Sequence, residues 1–268
     1  MDVFAYLIAV LIGISLGLVG GGGSILTVPV LVYLLKVDPL MSTTYSLFIV
    51  GITSLVGGAK AYTKELVDFQ AVALFGIPSI LSIFIARHFI LPAIPEYIFT
   101  VGDFSLTKGA LLMLVFAVLM FSAAISMIRK ENHELVPIEE PHKKQPNLTL
   151  VLPGLFIGLI TGLLGAGGGF LIIPTLVVIV KLPMKTAVGT SLLIVAINSI
   201  FGFIFSIGQH ELDWKLLISF TTLAIAGIII GSKLSERIGG ETLRKWFGWF
   251  VMVMGIYILV KELWAFKH

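Results

Sequence analysis

The chain has 268 residues, of which 57% are hydrophobic and 12% are Asp, Glu, Lys or Arg, and its mean hydropathy is +1.06. Soluble domains carry about 25% charged residues, so this composition excludes an ordinary soluble enzyme, a disordered chain and a disulfide scaffold. The net charge of +3 is interpreted as an excess of basic residues in cytoplasmic loops rather than as a nucleic-acid surface. These properties predict a multi-pass membrane protein.

Ten apolar segments follow one another, five on each side of a hydrophilic stretch. They span 3–19, 24–36, 41–62, 69–90 and 106–128 in the first half, and 148–165, 169–181, 186–208, 214–232 and 243–264 in the second. The first is interpreted as a membrane helix rather than a cleaved signal peptide, because no Lys or Arg precedes it. The second segment of each half reaches only about 20 Å, against about 30 Å for a bilayer core. It is therefore predicted to be a broken or re-entrant helix.

Residues 129–147 form the hydrophilic stretch, which holds 8 of the 33 charged residues and three prolines. Mixed charge and proline are typical of a solvated linker. The predicted organisation is a first membrane repeat at 1–128, a linker at 129–147 and a second membrane repeat at 148–268.

An internal duplication relates the two halves. A shift of 145 residues aligns them without a gap, and residues 13–57 then contain 18 identities in 45 positions. An odd number of segments in each half inverts the second repeat relative to the first, so we predict an all-α fold with two inverted repeats. Because 12 of the 18 Lys and Arg residues lie on the linker's side, that side is expected to be the cytoplasmic face of the cell (inner) membrane.

A glycine-rich motif precedes each short segment. Glycine permits positive φ and a close backbone approach, and unwound backbone at membrane depth occurs where it is buried in protein or lines a cavity. A helix that starts there favours an anion, so one interpretation is an anion cradle and the other is close helix packing by small residues. The candidate residues are Gly20, Gly21, Gly22, Gly23 and Ser24 in the first copy, and Gly165, Gly167, Gly168 and Gly169 in the second.

Small polar residues open the third segment of each half and recur one to two turns later. Hydroxyl and amide groups can solvate an anion without placing a charge in the bilayer; the alternative is hydrogen bonding between helices. The candidates are Thr43, Thr44, Ser46 and Thr53 in the first half, and Thr190, Ser191 and Asn198 in the second.

Several charged residues lie at segment ends. Lys36 and Lys181 end the short segments, where they would either snorkel to the interface or attract an anion at an entrance. Asp68 and Asp213 open the fourth segments, and we expect helix capping rather than proton carriage. Residues 87–88 (RH) end the fourth segment of the first half and are interpreted as interfacial anchors.

No acidic or basic residue lies in the middle of any segment, which argues against a cation transporter or a carboxylate-driven pump. The sequence has no cysteine and lacks the HExxH, GxSxG and Walker motifs. Neither an enzyme, a cofactor nor a metal site is therefore predicted. The expected partners are a small anion and the lipid bilayer; whether the chain forms a homo-oligomer is left open.

The order of these motifs resembles that of the TauE/SafE family, the sulfite-exporter-like permeases. The resemblance rests on the glycine-rich break followed by Pro, the short helix, residues 187–191 (AVGTS) and the loop at 208–214, and it covers essentially the whole chain. It implies a permease that exports sulfite or organosulfonates, coupled to protons. Residues 42–46 of the first half depart from the AxGTS pattern.

The predicted function is therefore a secondary transporter of small sulfur-containing anions, with access alternating between the two repeats. The alternatives are an anion channel, a permease for another small organic anion, and a subunit of a membrane assembly.

Overall fold

The structure is a computed structural model that describes residues 3–101, 104–128, 148–208, 212–235 and 240–265. The predicted linker at 129–147 lies outside these described residues. The described part is helical apart from one two-stranded hairpin. The helices of the first half are α1 (Val3–Val19), α2 (Thr27–Pro29), α3 (Pro39–Thr63), α4 (Phe69–Ile85), α5 (Leu91–Ala93) and α6 (Lys108–Ile128). Those of the second half are α7 (Leu148–Leu164), α8 (Gly169–Val178), α9 (Met184–Ile204), α10 (Trp214–Leu234) and α11 (Gly240–Ala265).

The short segments are irregular in the first half and regular in the second. In the first half a 3-10 turn at Gly20–Leu26 leads through α2 into a π-helix at Val30–Leu34. In the second half the corresponding segment is the ten-residue helix α8. Ten residues of α-helix span about 15 Å, so α8 is too short to cross a bilayer core, as its sequence predicts.

Aspartate caps fix where the long helices begin. The Asp68 carboxylate accepts a hydrogen bond from the Ala71 N–H at 2.9 Å, and the Asp213 carboxylate accepts one from the Leu216 N–H at 3.0 Å. Each satisfies a backbone donor that has no partner within its helix. The predicted capping role of both residues is confirmed, and Asp38 caps α3 in the same way.

A β-hairpin that the apolar pattern did not predict connects α5 to α6. Strands β1 (Tyr97–Val101) and β2 (Phe104–Thr107) pair antiparallel, with Tyr97 opposite Thr107. The hairpin is short and two-stranded, so its hydrophobic period is hidden beside those of the long helices.

Each half packs its first helix against the helix of the other half's fourth apolar segment. Helix α1 packs along α10, and α7 packs along α4. Glycines allow both contacts: a Cβ on Gly13 would lie 2.9 Å from Gly227 Cα, and one on Gly158 would lie 2.7 Å from Ser79 Cα. Close approach through small residues is the usual way in which membrane helices associate. The two halves are thus intertwined rather than side by side.

The third helices of the two halves, α3 and α9, pack against each other at the centre. A Cβ on Gly202 would lie 3.1 Å from Leu47, one on Gly51 3.3 Å from Ser199 Cβ, and one on Gly58 3.4 Å from Leu193 Cα. Residues further along α3 contact residues earlier in α9, so these equivalent helices are antiparallel. Such an order is expected of inverted repeats; the inversion across a membrane stays a prediction.

The outer surface is apolar. Large hydrophobic side chains are exposed on the outward faces of most helices, among them Leu152 at 73% and Ile77 at 69%. Within the described residues, five helices are long and apolar enough to cross a membrane, and four shorter apolar helices accompany them. The prediction of an all-α polytopic membrane protein is confirmed.

Candidate functional site

The two glycine-rich breaks contain backbone that favours glycine. Gly20 has a φ of +67° and its counterpart Gly165 one of +69°, while Gly167 and Gly168 have φ values of +67° and +71°. These values lie in the left-handed region, which side chains with a Cβ rarely adopt. The glycines therefore end α1 and α7 and redirect the chain into the short segments. Gly22 belongs to the same turn as Gly20, and its surroundings lie outside what the structure describes.

The two breaks meet backbone to backbone at the centre of the molecule. A Cβ on Gly21 would lie 2.7 Å from Gly169 Cα and 2.8 Å from a methyl group of Val195 in α9. A Cβ on Gly169 would in turn overlap the Gly21 backbone. The contact joins the two copies of the motif, so both breaks contribute to one region.

The second break also touches the polar stretch of α3. A Cβ on Gly165 would lie 2.6 Å from Thr43 Cα, and one on Gly167 would lie 2.9 Å from Val50 and 3.2 Å from Ser199 Oγ. The structure thereby brings the predicted glycines together with both predicted hydroxyl runs. Gly168, by contrast, faces Thr161 of α7.

Four of the candidate hydroxyls already donate a hydrogen bond within their own segment. Each donates a hydrogen bond of 2.6–2.8 Å to a nearby backbone carbonyl. In this arrangement they have only lone pairs to offer, and an anion needs donors. These four are Ser24, Thr43, Thr53 and Ser191.

Three hydroxyls of helices α3 and α9 are fully buried and have no hydrogen-bond partner among the described residues. They are Ser46, Ser54 and Ser199. Ser54 and Ser199 are equivalent under the 145-residue shift, and the candidate set drawn from the sequence omits both. A buried polar group without a partner is costly, so each is a free donor for a bound anion. Ser54 and Ser199 each lie eight residues after a candidate serine, Ser46 or Ser191, and therefore near the same helix face, which was the signal that could have found them.

Two hydrogen bonds link the halves reciprocally. The Asp68 N–H donates to Thr190 Oγ1 at 2.9 Å, and the Asp213 N–H donates to Tyr45 Oη at 2.8 Å. Tyr45 and Thr190 correspond under the repeat, so this is one interaction made twice. Thr190 therefore holds the start of α4 in place. Asn198 also reaches α4, since its Nδ2 donates to Ser79 Oγ at 2.7 Å while its Oδ1 has no partner.

Lys36 and Lys181 end the short segments in the left-handed conformation, with φ values of +55° and +59°. Behind them the Val37 N–H donates to Leu31 O at 3.0 Å, and the Leu182 N–H donates to Leu176 O at 3.2 Å. Each bond runs six residues back around a left-handed residue, one residue further than in the Schellman motif, and satisfies a carbonyl left open at the helix end. Both lysine side chains are exposed.

The interpretation of Arg87 as an interfacial anchor is wrong. The side chain is 1% exposed, and its Nη1 donates to Thr44 Oγ1 at 3.3 Å. The helix does not end beside it, because a π-helix at Ala86–Ile90 and α5 carry it on to Ala93. The apolar residues that follow position 88 were the signal that the helix continues. His88 is exposed and stacks on Phe84, with ring centroids 5.3 Å apart.

An apolar groove of about 610 Å³ lies apart from this region, between α6, α7 and α8. Phe156, Phe170 and Pro174 line it, and the hydroxyl of its Thr175 donates to Leu171 O at 2.7 Å. Because it presents few polar groups, the groove does not suit a small anion.

Comparison with known proteins agrees with this architecture. A probable membrane transporter protein of Xylella fastidiosa is 29% identical over 269 residues, which cover 95% of this chain and 93% of the relative. The probable membrane transporter protein YunE of Bacillus subtilis is 24% identical, covering 96% and 95% of the two chains. A similar relative from Methanocaldococcus jannaschii is also 24% identical, covering 95% and 94%. No solved structure matches the chain. The model of the sulfite exporter TauE/SafE family matches residues 5–258, so the chain belongs to this family of membrane transporters.

Proposed function

We propose that this protein is a secondary transporter that exports small sulfur-containing anions, such as sulfite or organosulfonates, across the cell membrane in exchange with or together with protons. The observation that carries the proposal is the contact between the two glycine breaks, where the unpartnered Ser199 hydroxyl lies 3.2 Å from the position of a Cβ on Gly167. An anion bound there would receive hydrogen bonds that the protein leaves unmade.

Access would alternate by movement of the repeats around this centre. Helices α3 and α9 cross there, and each lies against a break of the opposite half. Secondary transporters bind substrate where broken helices of two repeats meet. Here the short segments after the glycines are the elements best placed to move, because the 3-10 and π pieces are less regular than α-helix.

The direct test is sulfite and methanesulfonate flux in proteoliposomes, with and without an imposed pH gradient. Ser54→Ala and Ser199→Ala remove hydroxyls that have no protein partner, so both variants should fold normally. A hydrogen bond to a charged group contributes about 1.5–3 kcal/mol, so each should lower flux or anion affinity about tenfold or more. Ser122→Ala is the matched control, since Ser122 is exposed and donates to Leu119 O within α6.

Saturable flux that responds to the pH gradient would support a proton-coupled carrier. Large unitary currents in a planar bilayer would instead indicate an anion channel. Flux of a carboxylate, with none for sulfite or any sulfonate, would overturn the substrate class. Equal flux in wild type, Ser54→Ala and Ser199→Ala would overturn the cradle.

A further inference from the structure

We propose that Arg87 binds the transported anion through one edge of its guanidinium group, at the second glycine break. This inference deepens the proposed function, because it gives the site a charged residue and a preferred shape of substrate. It is carried by the burial of Arg87, by its unused donors and by its neighbours.

Arg87 is a buried cation without a counter-ion. Its side chain is 1% exposed, and within the part of the chain that the structure describes no acidic side chain pairs with it. Thr44, its one hydrogen-bond partner among the residues that the structure describes, is neutral. Charged residues inside membrane segments are costly and usually have a functional partner. An anionic substrate would supply the missing charge.

The unused donors are the right pair for an oxyanion. Nη1 bonds to Thr44, while Nε and Nη2 are buried and have no partner. In a planar guanidinium Nε and Nη2 present their N–H groups side by side along one edge. Two parallel N–H groups match two oxygens of a carboxylate, sulfonate or phosphate. The bond to Thr44 holds the plane in place and leaves this edge free.

Arg87 also lies beside the glycine break. Its bonded partner Thr44 follows Thr43, whose Cα would lie 2.6 Å from a Cβ on Gly165. On the other side its neighbour Ala86 packs against Gly162 of α7, where an added Cβ would lie 2.6 Å from the Ala86 Cβ. The guanidinium is therefore anchored between the opening of α3 and the end of α7.

The π-helix at Ala86–Ile90 contributes to this placement. A π-turn inserts an extra residue into an α-helix and rotates the following side chains, and such turns often occur at functional sites. Arg87 is the second residue of the π-helix. The irregular turn thus coincides with the one buried arginine among the described residues.

The geometry points to small anions that carry two or more oxygens on one atom, such as sulfite, sulfonates and carboxylates. A halide has no second oxygen and cannot use both donors of the edge. Binding can be measured by calorimetry on the purified protein in a non-ionic detergent without lipid. Methanesulfonate, sulfite, acetate and chloride are the probes.

The informative variants are Arg87→Lys, which keeps the charge but loses the planar edge, and Arg87→Met, which loses both. We expect at least tenfold weaker methanesulfonate binding in Arg87→Lys and no detectable binding in Arg87→Met. Removal of an unpaired buried charge should leave the melting temperature of Arg87→Met equal or higher, whereas a purely structural arginine would lower it. Lys60→Gln is the control, because Lys60 already donates to Ser232 Oγ at 2.7 Å.

Unchanged methanesulfonate binding in both Arg87 variants would overturn the proposal, and so would an equal loss in Lys60→Gln. Wild-type chloride binding as tight as methanesulfonate binding would also overturn it. Flux in vesicles of zwitterionic lipid distinguishes a failure of the Arg87 site from a failure of the proposed transport function. Arg87-dependent binding without any wild-type flux would refute transport and leave the site; wild-type flux that Arg87→Met retains would refute the site and leave transport.

Discussion

The first and second halves of the chain end their short segments alike and differ at the end of their fourth helices. Both short segments finish at a left-handed lysine, Lys36 or Lys181, with the same hydrogen bond behind it. At the end of the fourth helix, however, the first half has the buried Arg87, and the second half has Ser232, which accepts a hydrogen bond from Lys60. The shared helix ends are scaffold, and the difference lies at Arg87, beside the second glycine break.

The two glycine breaks also differ in their backbone conformation. The first break passes directly from α1 into a 3-10 turn, whereas the second has a non-helical turn with three left-handed glycines before α8. Arg87 lies beside the second break. A duplicated chain with an arginine in both copies would bury two like charges near its centre, and a single arginine avoids that repulsion. One cation is also the charge that balances a monoanion.

The contact that joins the halves should tolerate the least change. Gly169→Ala would place a Cβ on the Gly21 backbone, and since backbone cannot move away as a side chain can, we expect a loss of about 3 kcal/mol or failure to fold. Gly76→Ala is the matched control, because nothing lies within 4 Å of its added Cβ. The melting temperatures of both variants in detergent test this. Similar values would mean that the two breaks are not in contact.

Introducing into the second half the arginine of the first half should destabilise the protein. Ser232→Arg would remove the acceptor of Lys60 and bring two cations together, so we expect a loss of about 1–3 kcal/mol. Adding Lys60→Gln to Ser232→Arg should restore most of the stability, as measured by thermal unfolding at low and high salt. A double variant no more stable than Ser232→Arg alone would argue against charge repulsion.

The two aspartate caps should behave as equals. Asp68→Ala and Asp213→Ala should each cost about 1 kcal/mol, and the Asn variants should recover most of that loss because Asn is also a good cap. Flux in the Asn variants distinguishes capping from proton carriage. Unchanged pH-gradient dependence is expected; its loss in either Asn variant would make that aspartate a proton carrier.

The smallest effect is expected at the paired lysines. Lys36→Gly and Lys181→Gly should relieve left-handed strain and stabilise the fold by up to about 0.5–1 kcal/mol. Lys36→Gln and Lys181→Gln remove only the charge and should not stabilise it. If the lysines also attract anions, all four variants should raise the apparent KM, most clearly at low salt. Equal KM values throughout would restrict both residues to ending a helix.

Much of the fold could be predicted from the sequence because its signals are local. The apolar runs gave the helices, and Asp68 and Asp213 marked their starts, since a cap acts within three residues. The candidate site was harder to predict from the sequence, because its properties depend on which hydroxyl groups are left without a hydrogen-bond partner. Ser54 and Ser199 make no hydrogen bond, whereas their neighbours Thr53 and Asn198 each donate one, and this difference depends on how the helices pack.

Arg87 was misread for a related reason. A basic residue near the end of an apolar run usually lies at the interface, and sequence alone does not reveal a π-turn that extends the helix beyond it. The hairpin after α5 was missed because its strands are short and apolar like the helices around them. At both places the local sequence pattern did not indicate the structure that the chain adopts.

The pairing of α1 with α10 also governs how the protein is made. The end of α10 is synthesised 215 residues after the end of α1, which at about 5–20 residues per second is roughly 10–40 s. During that time the glycine face of α1, with Gly13 and Gly17, has no helix to pack against. Lipid or an insertion chaperone would have to cover it. The glycine face of α1 is therefore least protected during synthesis, before α1 has met α10.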